Sequence, residues 1–304
     1  MQKANTYYKN SIMKKIVFVF LCLFTLSLNA QTSANRFFYE LTYKPSTESD
    51  SLIKEMTILD ITAEKSLYRD YLMVSQDSLL KAEVEAMQKS GTFKDLSKTI
   101  KQPKFSYKIT KTYPDMGIKY TDQILQDKVS YEETLKFDWK IQDEKKTIGE
   151  YPAQKATTSF GGRNWSAWFS TEIPFQDGPY KFYGLPGLIV QLSDQENNYS
   201  WELKGNKNVP DFQEKSYSEE LTESWGGRGN DLVVSRSKFD QLYSAYKKDP
   251  FGSIRSQLSQ IPADAKMPDG TSIAKMMKDQ EEMLKKHLNE NNNQIEISQK
   301  KGNK

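Results

Sequence analysis

His287 is the only histidine among the 304 residues and Cys22 the only cysteine, so what the chain lacks is the first limit on its chemistry. A Ser-His-Asp triad, a Cys-His dyad and a histidine zinc site all need residue types that the body of the chain does not offer. His287 lies next to Lys286 and close to a polar C-terminal tail, and reads as a solvated helix residue. Forty acidic side chains remain, and paired carboxylates suffice for glycoside hydrolysis. Glu132 with Glu133, Glu219 with Glu220, and Glu281 with Glu282 sit in polar runs and read as solvated. Asp177 precedes Gly178 and Pro179, the setting of a turn aspartate. With Glu172 it forms the pair that a carboxylate-dependent hydrolase of envelope or imported polymers would use. Asp194, Glu196, Asn197 and Asn198 lack the alternate-residue spacing of a calcium loop and read as a hairpin turn. No metal or cofactor is expected: Gly161-Gly162-Arg163 and Gly226-Gly227-Arg228 lack the lysine and hydroxyl residue that complete a P-loop.

Binding offers more than catalysis. Eleven aromatic residues fall between Tyr151 and Trp201, nearly double the 12% of the whole chain. On one strand Trp165, Ala167 and Phe169 face one way while Ser166, Trp168 and Ser170 face the other, so a sheet wetted on one side exposes Trp165 or Trp168. Exposed tryptophan serves sugars, peptides or lipid surfaces; a helix over the second face would instead bury both rings. The candidate ligand-binding residues are therefore Trp165, Trp168, Tyr180 and Tyr183, with Arg163 placed to meet an anionic group.

The elements that must position these residues are mostly strands. Phe37, Tyr39, Leu41 and Tyr43 alternate with Phe38, Glu40 and Thr42, the period of two of a half-buried strand. Strand character recurs over 52–61, 66–74, 104–109, 118–124, 188–192 and 199–204. Between them Leu80, Val84 and Met87 fall at helical spacing, with Ser75 or Asp77 as cap and Gly91 as stop, so one helix is expected over 75–90. Ser235–Lys248 reads as a second helix and 273–288 as a third, whereas 289–304 carries no core-forming pattern and is expected to be disordered. The expected fold is mainly β: a strongly curved antiparallel sheet, a half-open barrel, occupying 31–250, followed by a helical extension over 251–288.

Charge and the N-terminus give the setting. The formal net charge is +3, but residues 1–30 hold Lys3, Lys9, Lys14 and Lys15 and no acid, and taking those four from 43 basic residues leaves 39 against 40 acidic ones. Lys14 and Lys15 precede an apolar run from Ile16 to Leu26 that ends in Ser27, Leu28, Asn29 and Ala30, the layout of an export signal cut near Ala30, with Met13 as an alternative start. The run is too short for the roughly 20 residues of a spanning helix, so no integral membrane protein is expected. Removal of that segment takes Cys22 with it and excludes disulfides. A nearly neutral mature chain with no basic stripe excludes nucleic acid as partner.

One run is distinctive. Gly184, Leu185, Pro186, Gly187, Leu188 and Ile189 spell the hexapeptide of the GLPGLI family of exported proteins in Gram-negative bacteria, and the chain resembles that family from about 148 to 204. Ile148-Gly149-Glu150-Tyr151, Gly162-Arg163, Ala167-Trp168-Phe169, Glu172-Ile173-Pro174 and Gly178-Pro179-Tyr180-Lys181-Phe182 carry the likeness in order. Ala153 stands where members often have cysteine. The resemblance implies an exported, strand-rich protein. Pro186 and Gly187 suit the central positions of a type II turn, with Gly184 allowing close packing before it. The expectation is a non-enzymatic cell-envelope protein that binds an apolar ligand or an envelope protein partner through its aromatic concave face. An interaction module of an outer-membrane transport complex is the alternative.

Overall fold

The alternating rings of the first strand set the plan of the molecule. Tyr39, Leu41 and Tyr43 are buried along β1 (Ala34–Tyr43), whereas Glu40 and Thr42 are half-buried. The structure is a computed structural model that describes residues 32–297 except 93, 97–98, 102, 125–126, 225–230 and 268–269. The expected export signal over 1–30 and the glycine turn at 226–229 lie outside the described residues. After β1 come β2 (Ile53–Ile61), β3 (Lys65–Asp70), a one-turn α1 (Leu72–Ser75) and α2 (Asp77–Ser90). Next are β4 (Lys108–Thr112), β5 (Gly117–Ile124), β6 (Asp127–Glu133), β7 (Lys140–Ile148), β8 (Tyr151–Phe160), β9 (Arg163–Ser170), β10 (Leu188–Asp194) and β11 (Tyr199–Val209). The chain ends with α3 (Tyr217–Ser224), β12 (Leu232–Val233), α4 (Arg236–Lys248), α5 (Arg255–Leu258) and α6 (Ile273–Glu290).

All twelve strands form one sheet in the order β12-β6-β5-β4-β3-β2-β1-β11-β10-β9-β8-β7. Every pairing is antiparallel except the short β12–β6 contact. The sheet does not close, since β7 and β12 are its two edges. The fold class is therefore as expected, mainly β with an internal helix and helices toward the C-terminus. Register decides which residues share a face. Leu59, Tyr68, Ile109, Tyr120 and Tyr131 are successive partners across β2 to β6, and the row beside them runs Ile61, Ser66, Lys111, Ile118, Glu133. The first row stacks into the core, with Tyr120 and Tyr131 rings 5.1 Å apart. The second puts a lysine and a glutamate on the same inner face.

The outer face of β1 to β4 is also covered. Arg36, Asp60 and Arg69 form a buried ion triad there, Arg36 Nη2 donating to Asp60 at 2.9 Å and Arg69 Nη2 at 3.2 Å. The segment after β11 lies over them, with Phe212 packed on Ala34 and Leu67 and the Glu214 carbonyl accepting from Arg69 Nη1 at 2.7 Å.

Some local expectations are corrected. The strand expected at 104–109 begins only at Lys108, and β11 runs on to Val209 because Asn35 and Arg36 pair with Asn208 and Lys207. Neither Ser75 nor Asp77 caps α2; the N-cap is Gln76 without a side-chain bond, while Gly91 does close the helix at φ +65°. Helices α4 and α6 are capped by Ser235 and Ser272, whose hydroxyls accept from Lys238 N and Lys275 N. The tail is corrected most: residues 291–297 are not disordered, for Asn293 and Ile295 are buried.

Candidate functional site

Between β9 and β10 the chain does not turn back as a hairpin. Residues 171–187 fold into the concave face of the sheet, burying Ile173, Asp177, Tyr180, Lys181, Phe182 and Leu185. Phe182 sits against Trp165 at 4.9 Å between ring centroids and against Phe137 and Phe160 at 5.2 and 5.3 Å. A charge carried into such a setting must be paired, and the inner-face row provides the partners. Lys111 pairs with Asp177 and donates to three loop carbonyls, of Gly178 at 2.7 Å and of Tyr180 and Phe182 at 3.3 Å. Tyr113 donates to the other Asp177 oxygen at 2.6 Å. Burial pushes the Lys111 ammonium below its ordinary value, with Asp177 opposing. Four residues on, Lys181 donates to Tyr131 at 2.7 Å, to Glu133 at 2.5 Å and to Glu296 at 2.6 Å. The loop is thus docked by two lysine-carboxylate pairs of opposite polarity.

The hexapeptide ends this loop, and its two glycines exchange the roles expected of them. Gly187 N donates to Leu185 O at 2.8 Å, which makes a three-residue turn about Pro186 in place of the expected type II turn. A Cβ on Gly187 would stand 2.1 Å from the Ser170 carbonyl oxygen, so glycine is required there by close approach. Gly184 has open space around it and is required by its φ of +91° instead.

The candidate residues are spread over this closure. Trp165 is 1% exposed, its indole N–H bonded to Phe160 O at 3.0 Å. Trp168 points to the opposite face, as the alternation implies, but is only 7% exposed, with Lys146 Nζ 4.1 Å from its ring centroid. Tyr183 is half-buried and donates to Leu135 O, while its own carbonyl accepts from Trp139 at 2.8 Å. Tyr180 donates to Glu296 at 2.6 Å. Tyr180 and Arg163 share the mouth of the concave face; Trp165 and Tyr183 lie in its packing and Trp168 outside it. Glu172 is not brought to Asp177: it is exposed beside Lys145 and Phe169 in a groove of about 440 Å³, while Asp177 is locked inward. Asp194 and Asn198 belong to the β10–β11 hairpin, where Asp194 accepts from Tyr199 N and Asn198. His287 is exposed on α6.

Arg163 meets an anionic group, but one of this chain. Its Nη1 donates to Asp194 at 3.0 Å, and its remaining donors hold residues 293–295: Nε to Ile295 O at 3.0 Å, Nη2 to Asn293 Oδ1 and to Gln294 O, both at 2.7 Å. Beyond α6 the chain therefore crosses the mouth as a strap. Its Glu296 takes Lys181 and Tyr180 on one oxygen and Arg236 of α4 on the other at 3.0 Å. Burial raises the Glu296 carboxyl, but the Lys181 and Arg236 charges outweigh it and hold the group below its ordinary value. Sequence reasoning missed Lys111, Lys181, Glu133, Arg236, Asn293 and Glu296. Only the period-two run Ile295-Glu296-Ile297 was a signal for the strap.

Comparison with known proteins adds a little. No curated protein matches the chain. Solved structures of PNGF-II, in the C2 and P21 space groups, superpose with a TM-score of 0.45 at 12% and 13% identity, over 69% and 70% of this chain and 32% and 33% of theirs. This chain spans about a third of the length of those proteins. Residues 162–191, which run from the Gly162-Arg163 turn through the inserted loop and hexapeptide into β10, match the model of a family described as a protein of unknown function (Porph_ging).

Proposed function

We propose that this is a non-enzymatic, exported cell-envelope protein of the GLPGLI family that binds a protein partner at the mouth of its concave face. One observation carries the reading: the mouth already holds a short irregular stretch of chain, residues 293–297, through main-chain, amide, carboxylate and aliphatic contacts at once. Two further points support it. An apolar ligand inside the sheet would have to displace Phe182 and Trp165, which are 0% and 1% exposed. Asp177, the acid that a hydrolytic pair would require, is committed to Lys111 and Tyr113.

The test is native mass spectrometry of the protein purified from its own envelope after mild cross-linking. A single protein species bound in constant ratio is expected. A bare chain across preparations, or a bound lipid, would refute the reading.

A further inference from the structure

The strap has the anatomy of a bound peptide. Its main chain is fixed at both ends, Asn293 N donating to Pro45 O at 3.0 Å and Ile297 N to Gly161 O at 2.7 Å. The Asn293 side chain accepts from Arg163 and donates to Lys44 O at 2.9 Å and Asn198 Oδ1 at 3.2 Å. Ile295 is buried in the main core cluster, and Glu296 is clamped between Lys181, Arg236 and Tyr180.

The receiving side is built to match. A Cβ on Gly161 would stand 2.9 Å from Glu296 Cγ and 3.0 Å from its Cα, and one on Gly162 2.9 Å from Ile297 O. Both glycines also have positive φ, +59° and +78°, so the turn before Arg163 is shaped to let another backbone lie on it. Asp194 fixes the guanidinium from behind. The tether is weakly held by comparison, since α6 buries none of its residues.

Resting on the partner-binding reading, we propose that the mouth is a recognition site for a short, bent peptide segment of a protein partner, with the pattern amide, any residue, aliphatic, acidic, and that residues 293–297 occupy it in cis until displaced. Each position of the pattern has its receptor group: Asn198 and Arg163 for the amide, the core for the aliphatic, Lys181 and Arg236 for the acid. The Gly161-Gly162 turn accepts the backbone of the acid and of the residue after it, Ile297, whose own side chain is 48% exposed. Displacement exchanges like for like, so the partner's affinity is lowered by the tethered strap and restored when the strap is released.

The test uses the full mature chain carrying Ile295→Asp and Glu296→Lys, which puts a charge in the core and a lysine against Lys181 and Arg236 and so expels the strap. A fluorescent peptide of residues 290–297 is titrated against this variant and the unaltered chain by anisotropy. Saturable binding to the variant is expected, and for a peptide Kd of about 10 μM it is weaker by about a hundredfold in the unaltered chain, because the tethered strap competes at an effective concentration of order 1 mM. A peptide bearing the same two substitutions is expected to bind neither. A folded variant that ignores the native peptide, or takes both peptides equally, overturns the proposal. Where the variant does not fold alone, the native peptide restores its circular dichroism and the substituted peptide does not; absence of restoration also overturns it. Dimers of the unaltered chain with exchanged straps, seen in sedimentation, would make a second copy the occupant and overturn the choice of a foreign partner. Peptide binding without any envelope partner refutes the functional reading and leaves the site standing.

Discussion

Replacing Gly187 by alanine tests whether the hexapeptide is a packing device. The added Cβ would lie 2.1 Å from Ser170 O, 2.6 Å from Ser170 C and 2.9 Å from Thr171 N, all backbone atoms, so no side chain can rotate away. The end of β9 or the start of β10 must shift, and with it the Leu188 N bond to Ile173 O at 3.1 Å. Overpacking costs about 1–3 kcal/mol, and a clash against two fixed strands belongs at the upper end, about 3 kcal/mol. For a domain of this size that lowers the melting temperature by about 6–12 °C. Two controls separate the clash from the loss of glycine as such. Gly184→Ala meets no atom within 4 Å but keeps a φ of +91°, a cost of about 1 kcal/mol. Gly205→Ala, on β11 with neither constraint, should be neutral or stabilising by about 0.5 kcal/mol. Thermal unfolding of the three variants by circular dichroism gives the order. Gly187→Ala as stable as Gly184→Ala would refute the close-approach argument.

Three further outcomes are expected. Lys111→Met leaves Asp177 buried beside Tyr113 without its counter-charge and should cost about 3–5 kcal/mol, of which adding Asp177→Asn recovers a part, read by urea unfolding. Ile295→Ala should cost about 2 kcal/mol, because the strap can detach and spare the rest of the core, and hydrogen exchange should rise in 291–297 ahead of the sheet. Asp122, buried and accepting from Ser106 and Gln123 N, has its carboxyl pushed up to about 6 by burial. The folded protein then binds this proton more readily than the unfolded chain, so the stability from this group is present below about pH 4 and lost as pH rises to about 6, a change of about 3 kcal/mol. Asp122→Asn should remove that slope from stability measured across the interval.

Strands β1, β5, β9, β10 and β11 were legible because each repeats an apolar residue at every second position against one core, and α2 because Leu80, Val84 and Met87 share a stripe; β7, exposed at eight of its nine positions, carries no such repeat and was not expected. Lys111 and Glu133 were not, since a polar residue at an inward strand position reads as outward until register sets it beside Ile118. Asp177 looked like a turn residue for the same reason, its partner Lys111 being 66 positions away in sequence, and nothing near Lys181 pointed to Glu133, 48 positions away. Arg163 was singled out as an anion receptor, and the structure provides the anion from within, Asp194. The strap escaped notice because two isoleucines among asparagines and glutamine cannot make a core alone; they are ordered by a mouth assembled from β8, β9, β11 and α4.

Hydrogen exchange of the unaltered protein tests the central claim most directly, that the concave face is closed by the chain's own residues 293–297. Protection at Asn293 and Ile297 comparable to that of β9, with faster exchange along α6, is the result predicted from their bonds to Pro45 O and Gly161 O and from the exposed face of that helix. Exchange of 293–297 at the rate of an unstructured peptide, with β9 still protected, would contradict it.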